Sequence, residues 1–461
     1  MSRLSRRTFL AGSAALIAAP ALHVEAATGD VDVAIIGAGA AGIAAARRIA
    51  AAKRSYRLIE ASARIGGRCA VDTKTFGVPF DLGAHWIHNS DTNPLVAAVP
   101  KDGKSGLDIY AAPRAQALRV GPRRARESEL ETFLAAQVRA QRAVVDAARA
   151  KIDIPAQRAL PKDLGPWQPT IEFMLGPYTF GKDLGAVSTF DLARALEREG
   201  EAFCRQGYGA LLARLASDVT VQLSSPVSMI SWVAGHSVTV ETAKGDFSAR
   251  TVILTVPTNV LASDAIEFIP PLPKRHLDAA GKLSLGSLNH IALEMPGNPL
   301  GLQRDDIVFE QTNGPRTAAL LANVGGTDLH VVEVGGAFGR DLATKGEAAM
   351  VAFATDWISN AFGTEARRLI KRSLATRWDA DPLALGAISS AAPGASDARK
   401  VLAEPLGGRV WLAGEALSET QAGTVNGAWE SGTRAAEAAL RRLGGAKDET
   451  DEKPARRQRR R

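Results

Sequence analysis

The sequence predicts an α/β fold, in which a parallel-sheet domain is interleaved with a mixed α+β domain. Three observations predict it. The apolar run Val31-Asp32-Val33-Ala34-Ile35-Ile36 runs straight into the glycine turn Gly37-Ala38-Gly39-Ala40-Ala41-Gly42, and then into an alanine-rich stretch of strong helix propensity. A second apolar run, Tyr56-Arg57-Leu58-Ile59, ends in an acid, Glu60. The length, 461 residues, suits two domains better than one core.

Composition narrows the field further. Hydrophobic residues make up 46% and charged residues 23%, a globular balance that excludes wholesale disorder. The two cysteines, Cys69 and Cys204, cannot form a disulfide framework, an iron–sulfur centre or a four-cysteine zinc site, and are expected to be buried thiols. The seven histidines include no HxxxH pair, which argues against a zinc protease, and no metal ligand is expected from the motifs. The net charge of +7 is concentrated at the two ends, and the near-neutral body argues against a nucleic-acid partner.

In chain order, Ser5-Arg6-Arg7-Thr8-Phe9-Leu10 leads into an apolar stretch over 10–22, with small residues near 24–27. A charged start, a short apolar run and a small-residue exit make an export signal. The run is short of the roughly 20 residues that a membrane span needs. The paired arginines resemble the twin-arginine type. Residues 1–27 are therefore expected to be a signal peptide, read by the twin-arginine machinery, which would deliver the folded chain to a bacterial periplasm.

The glycine turn follows. Gly37 permits a tight bend, Gly39 lets backbone approach a pyrophosphate, and Gly42 allows the helix to pack closely on the sheet. The helix N-terminus offers free N–H groups to phosphates. Glu60 lies where an acid accepts from ribose hydroxyls, which favours a free 2′-OH and hence FAD or NAD over NADP.

Further motifs follow: Arg64-Ile65-Gly66-Gly67-Arg68, then Phe80-Asp81-Leu82-Gly83-Ala84-His85-Trp86-Ile87-His88, Ser225-Pro226-Val227 and Thr251-Val252-Ile253-Leu254-Thr255-Val256-Pro257. Near the end come Trp411-Leu412-Ala413-Gly414-Glu415 and Gly423-Thr424-Val425-Asn426-Gly427-Ala428-Trp429-Glu430-Ser431-Gly432. Together these resemble the flavin-containing amine oxidase family, which includes monoamine and polyamine oxidases. The likeness covers most of residues 30–443.

The resemblance implies a Rossmann-like FAD-binding domain of the two-dinucleotide-binding-domain flavoprotein type, interleaved with a mixed α+β substrate domain. The FAD-binding segments would be 28–100, 207–270 and 376–444, the substrate segments 101–206 and 271–375. A helix is expected over 126–160, strands near 287–294 and 330–335, and a helix over 347–362. Residues 445–461, charged and Arg-rich, are expected to be a disordered tail.

The implied FAD contacts are Gly37, Gly39, Ala40, Ala41 and Gly42 at the pyrophosphate, and Glu60 with Ala61 at the ribose. Arg64, Gly67 and Arg68 would lie near the pyrophosphate and ribityl chain; Gly83, Ala84, His85 and Trp86 would lie against the isoalloxazine, His85 through its backbone. Val227 would touch the adenine, and Pro257 would sit on the FAD side. Gly414 and Glu415 would reach the ribityl hydroxyls, and the helix starting at Gly423, Thr424, Val425 and Ala428 would face flavin N1–C2=O. No cysteine occupies Ser389-Ser390-Ala391, so FAD is expected to be non-covalent.

By the same resemblance the substrate face carries His88, as in the polyamine oxidase branch, and Trp378 beside the ring. Relatives place a lysine, which holds a water, where this chain has His290, so an acceptor other than O2 is a real alternative. The two tyrosines that cage small amines are replaced near Ser390 or Ala391 and at Thr424. The implied reaction is oxidation of an amine C–N bond by hydride transfer to flavin N5. The imine hydrolyses to a carbonyl plus amine or ammonia, and O2 (to H2O2) or a periplasmic carrier takes the electrons. A polyamine-like substrate is slightly preferred. The alternatives are an L-amino-acid oxidase, which needs an arginine such as Arg205, a carbocycle desaturase, or a flavin-bearing binding protein.

Overall fold

A computed structural model describes residues 30–99, 106–113, 116–233 and 237–444. The expected signal at 1–27 and tail at 445–461 lie outside them. No helix among the described residues is long and apolar enough to cross a membrane.

Strand β1 (Val31–Ile36), helix α1 (Ala40–Ala51) and strand β2 (Tyr56–Ile59) form the unit that the glycine turn predicts. β1 and β2 pair in parallel, Ile36 opposite Ile59. Gly37 has φ +102°, which glycine tolerates best. A Cβ on Gly42 would stand 1.8 Å from the Gly37 carbonyl oxygen, so only glycine lets α1 start this close to the turn.

Helix α2 (Glu127–Arg149) buries Phe133, Ala136, Ala140 and Val144, a stripe at three- and four-residue spacing. It ends earlier than the expected 160. Lys151 takes φ +59° and Pro155 follows, so the chain leaves the helical region there.

Strand β3 (Phe247–Leu254) pairs in parallel with the other edge of β1. The first sheet has eight strands. Its path runs 267–269, 227–231, 238–242, β3, β1, β2, 221–222, and strand Val410–Leu412 also pairs with β3. The second sheet has seven strands, ordered 372–375, β4 (Leu288–Glu294), β5 (Leu329–Gly335), 319–321, 307–310, 116–120, 123–124. β4 and β5 run antiparallel and put His290 directly opposite Glu333. The helix Glu347–Phe362 falls where the sequence predicts.

The closing helix α3 (Val425–Leu443) lies against α1. A Cβ on Gly432 would come 2.0 Å from the Ala41 carbonyl oxygen, so the two helices touch backbone to backbone. Ile43, Ala46, Ile49, Ala436 and Ala439 fill the seam with the sheet.

Candidate active site

Two features of the local sequence open a cavity between the sheets. The first is the pair of glycine turns that begin α1 and α3. The second is a π-helical turn, Met174–Tyr178, which brings Tyr178 into the wall. The cavity measures about 580 Å³, within the usual range for small-molecule sites.

It is lined by Gly37, Gly39, Ala40, Ala41, Glu60, Ala61, Arg64, Gly67 and Arg68 at one end, and by Val227 and Pro257 beside them. Gly83, Ala84, His85, Trp86, His88, His290, Trp378, Gly414, Glu415, Gly423, Thr424, Val425 and Ala428 complete the wall. Gly42 is the exception. It lies under the turn against Gly37, and its role is packing rather than contact.

The backbone suits a dinucleotide. Added Cβ atoms on Gly39 and Gly414 would meet no protein atom within 4 Å, so bare backbone borders the cavity at both places. The Thr424 hydroxyl caps α3 by accepting from Gly427 N at 3.0 Å. That fixes the positive end of the helix at the cavity.

The polar side chains are held in place. Glu60 accepts from Ala38 N at 2.7 Å and from Ser62 N at 2.9 Å. Glu415 accepts from Arg68 Nη1 at 2.8 Å, from Gly423 N at 3.0 Å and from the Ser389 hydroxyl. Arg64 donates to its own turn, at Gly67 O, 2.7 Å away. The indole Nε1 of Trp378 donates to Leu82 O at 2.8 Å, and its backbone N–H donates to Asn289 Oδ1 at 3.0 Å, so the residue is held at both its backbone and its ring.

The histidines differ. His88 Nδ1 stands 3.1 Å from Glu201 Oε1. Burial pushes its pKa below the ordinary imidazole value, against the pull of Glu201. His85 is pushed down to about 4, chiefly by burial, so its ring is neutral. His290 Nδ1 faces the Asp81 carbonyl at 3.0 Å and its Nε2 faces Glu333 Oε1 at 3.2 Å. Burial opposes the charge on His290, but the Glu333 carboxylate outweighs it and raises the pKa.

Among the wall residues that escape sequence reading as site residues are Glu201, Arg198, Tyr178 and Glu333. Only Glu333 leaves a trace, as one acid in the apolar strand Leu329–Gly335. Arg198 donates to Ala422 O at 2.6 Å, and its Nε is buried with no hydrogen-bond partner. Burial pushes it down to about 10. Arg205, the arginine that sequence reading considered, pairs instead with Asp108 at 2.7 Å, outside this cavity. Cys69 and Cys204 are both free and buried.

The profile of the family described as flavin containing amine oxidoreductase matches residues 40–440. Over 436 residues the chain is 26% identical to "Probable polyamine oxidase 4" of Arabidopsis thaliana, covering 87% of this chain and 86% of that one. It is 28% identical to human "Lysine-specific histone demethylase 2", covering 87% of this chain and 52% of that protein. Among solved structures, a putrescine oxidase bound to putrescine superposes with a TM-score of 0.73 at 19% identity, over 89% of this chain and 99% of that one. Cyclohexylamine oxidase from Brevibacterium oxydans gives 0.73 at 22% identity, over 90% of this chain and all of that one.

Proposed function

Because the chain belongs to the flavin-containing amine oxidoreductase family, we propose that it oxidises the C–N bond of a polyamine-like amine. The enzyme class and the flavin cofactor follow from the family; the substrate, the acceptor and the residue roles are our reading. The bound flavin supplies the hydride acceptor for the C–H bond beside the nitrogen.

The observation that carries the substrate reading is the His88–Glu201 pair in the cavity wall. Glu201 is half exposed and draws an ammonium into the site. His88, kept neutral by burial, accepts the proton that must leave the nitrogen before the C–H bond can break. Trp378, fixed at both ends, forms a rigid wall that orients the substrate chain. Loss of hydride and proton leaves an imine; water converts it to a carbonyl compound and releases the amine or ammonia. Where relatives carry caging tyrosines this chain has Ser390 or Ala391, both buried behind the wall, and Thr424, which borders the cavity with a small side chain and so favours a long, flexible substrate. Curated relatives named polyamine oxidases support the same reading.

The flavin is held without a covalent bond: burial pushes the lining thiol of Cys69 up to about 12, so it stays protonated and unreactive. His290 holds its place through Asp81 and Glu333, and the electrons pass to O2, giving H2O2, or to a periplasmic acceptor. The Arg6-Arg7 signal supports export of the folded chain.

Arg198 favours a second reading. A buried guanidinium with a free Nε in the wall suits the carboxylate of an amino acid. Anaerobic mixing with polyamines, monoamines and L-amino acids separates the two. Flavin bleaching by polyamines at the lowest concentrations is expected, and bleaching by amino acids alone overturns the first reading. Admitting air and assaying H2O2 then decides the acceptor.

A further inference from the structure

His85, His290 and Glu333 meet in a buried cluster in the cavity wall. We propose that these three side chains bind a divalent first-row transition cation of the Zn2+ or Co2+ type. The inference stands apart from the choice of amine.

The donor set comes first. Two imidazole nitrogens and a carboxylate oxygen lie within 4.8 Å of one another, and all three residues are buried or nearly so. His290 Nε2 is 3.2 Å and His85 Nε2 3.6 Å from the same oxygen, Glu333 Oε1. Metal–ligand bonds of about 2.0–2.2 Å put neighbouring ligand atoms a little over 3 Å apart, so only a small inward movement is needed. Two imidazoles with one carboxylate select transition cations over Mg2+ or Ca2+.

The ring orientations also fit. His290 turns Nδ1 to the Asp81 carbonyl, and the Gly83 backbone supports the other edge of the His85 ring. Both rings therefore aim Nε2 at the same point. Such outer hydrogen bonds are what fix ligating histidines.

Unmet valence marks the point itself. His85 Nε2 is buried without a hydrogen-bond partner, while the Tyr178 hydroxyl faces the Glu333 carboxylate. Buried polar atoms are normally paired, and an imidazole nitrogen left unpaired 3.6 Å from a buried carboxylate oxygen suits a cation between them.

The setting limits what binds. Phe203 stacks on His85 at 5.8 Å and Phe80 lies 6.4 Å from His290, which gives the cluster an apolar flank. Both histidines also border a second cavity of about 210 Å³, so they stand in the partition between the two spaces. All three residues also line the main cavity.

The test uses the holoenzyme, freed of adventitious metal by a chelator and titrated with Co2+. We expect uptake of about one Co2+ per chain, a visible d–d band, and displacement by Zn2+. Glu333→Gln and His85→Gln are expected to weaken uptake by at least about 10–100-fold. Wild-type protein that takes up no stoichiometric Co2+, or variants that bind it as tightly as wild type, would overturn the proposal. X-ray absorption of the Co2+-loaded wild type needs no variant to fold: scattering from two bound imidazoles supports the site, and an all-oxygen sphere overturns it.

Discussion

Arg68 Nη1 donates to Glu415 Oε1 at 2.8 Å, joining residues 347 positions apart. The first glycine-rich segment and the closing motif are thus tied by one charge-assisted bond beside the cavity. Glu415 is one-tenth exposed, so the bond is shielded from solvent screening. Glu415→Gln weakens that tie and lowers the retention of flavin. Hydrogen bonds to charged groups are worth about 1.5–3 kcal/mol, so flavin should dissociate at roughly 10–100-fold lower dilution. The ratio of flavin to protein absorbance after gel filtration measures it; an unchanged ratio refutes the role.

Gly39 and Gly432 should fail in different ways. At Gly39 the backbone is at φ −78° and an added methyl meets no protein atom, so Gly39→Ala leaves thermal stability intact while blocking flavin uptake. At Gly432 the methyl would collide with the Ala41 carbonyl, so Gly432→Ala forces α1 and α3 apart and costs about 1–3 kcal/mol. Unfolding of the flavin-free protein, followed alongside flavin titration, distinguishes them. Equal loss of stability in both variants would contradict the assignment.

Asp191 and Arg399 form a fully buried bidentate pair, at 2.8 and 2.6 Å, and Asp191 also accepts from Ala391 N. Arg399→Met leaves the buried Asp191 carboxylate with the longer 3.7 Å contact to Arg194 in place of the bidentate pair, a loss toward the low end of about 3–5 kcal/mol. Denaturant unfolding reads this directly. The segment 389–391 borders Glu415 through Ser389, so flavin retention should fall as well.

His330 supplies a pH signature. Burial pushes its pKa down to about 4, and Asp328 offsets this only in part. Below the ordinary value near 6.5 the unfolded chain takes up a proton that the folded chain refuses. Stability contributed by the neutral ring is complete above about pH 6.5 and falls as pH drops toward 4, by about 3 kcal/mol. In His330→Gln the acid side of the stability profile should be flatter across that window. An identical slope in both proteins would show that His330 takes up its proton alike in the folded and unfolded chains.

Glu201→Gln keeps shape but removes the charge facing His88. The KM for polyamine substrates should rise roughly 10-fold with little change in the flavin spectrum, as expected when an exposed attraction of about 1–1.5 kcal/mol is lost. A fall in kcat with KM unchanged would place Glu201 in the chemical step instead.

The β1–turn–α1–β2 unit and its closing helix were legible in the sequence because their chemistry is local. A glycine is needed wherever φ is positive or two backbones touch; Gly37 and Gly42 mark such points within one turn, whereas Gly432 answers to Ala41 at the other end of the chain. Helix α2 was legible in its Ala-, Arg- and Gln-rich composition but not in its end, which depends on Lys151 taking a left-handed turn.

The sequence by itself determined the dinucleotide turn, the family motifs and most of the cavity's backbone. Only the tertiary structure decided which side chains meet there. Glu333 reaches His290 because β4 and β5 pair in one register, and His85 joins them from a loop some 200 positions earlier. Arg198 and Glu201 enter the wall by the same route, and Arg205, four residues on from Glu201, does not. Charge pairing and burial act through space, and a linear chain does not record which distant residues strand register and helix packing will set side by side.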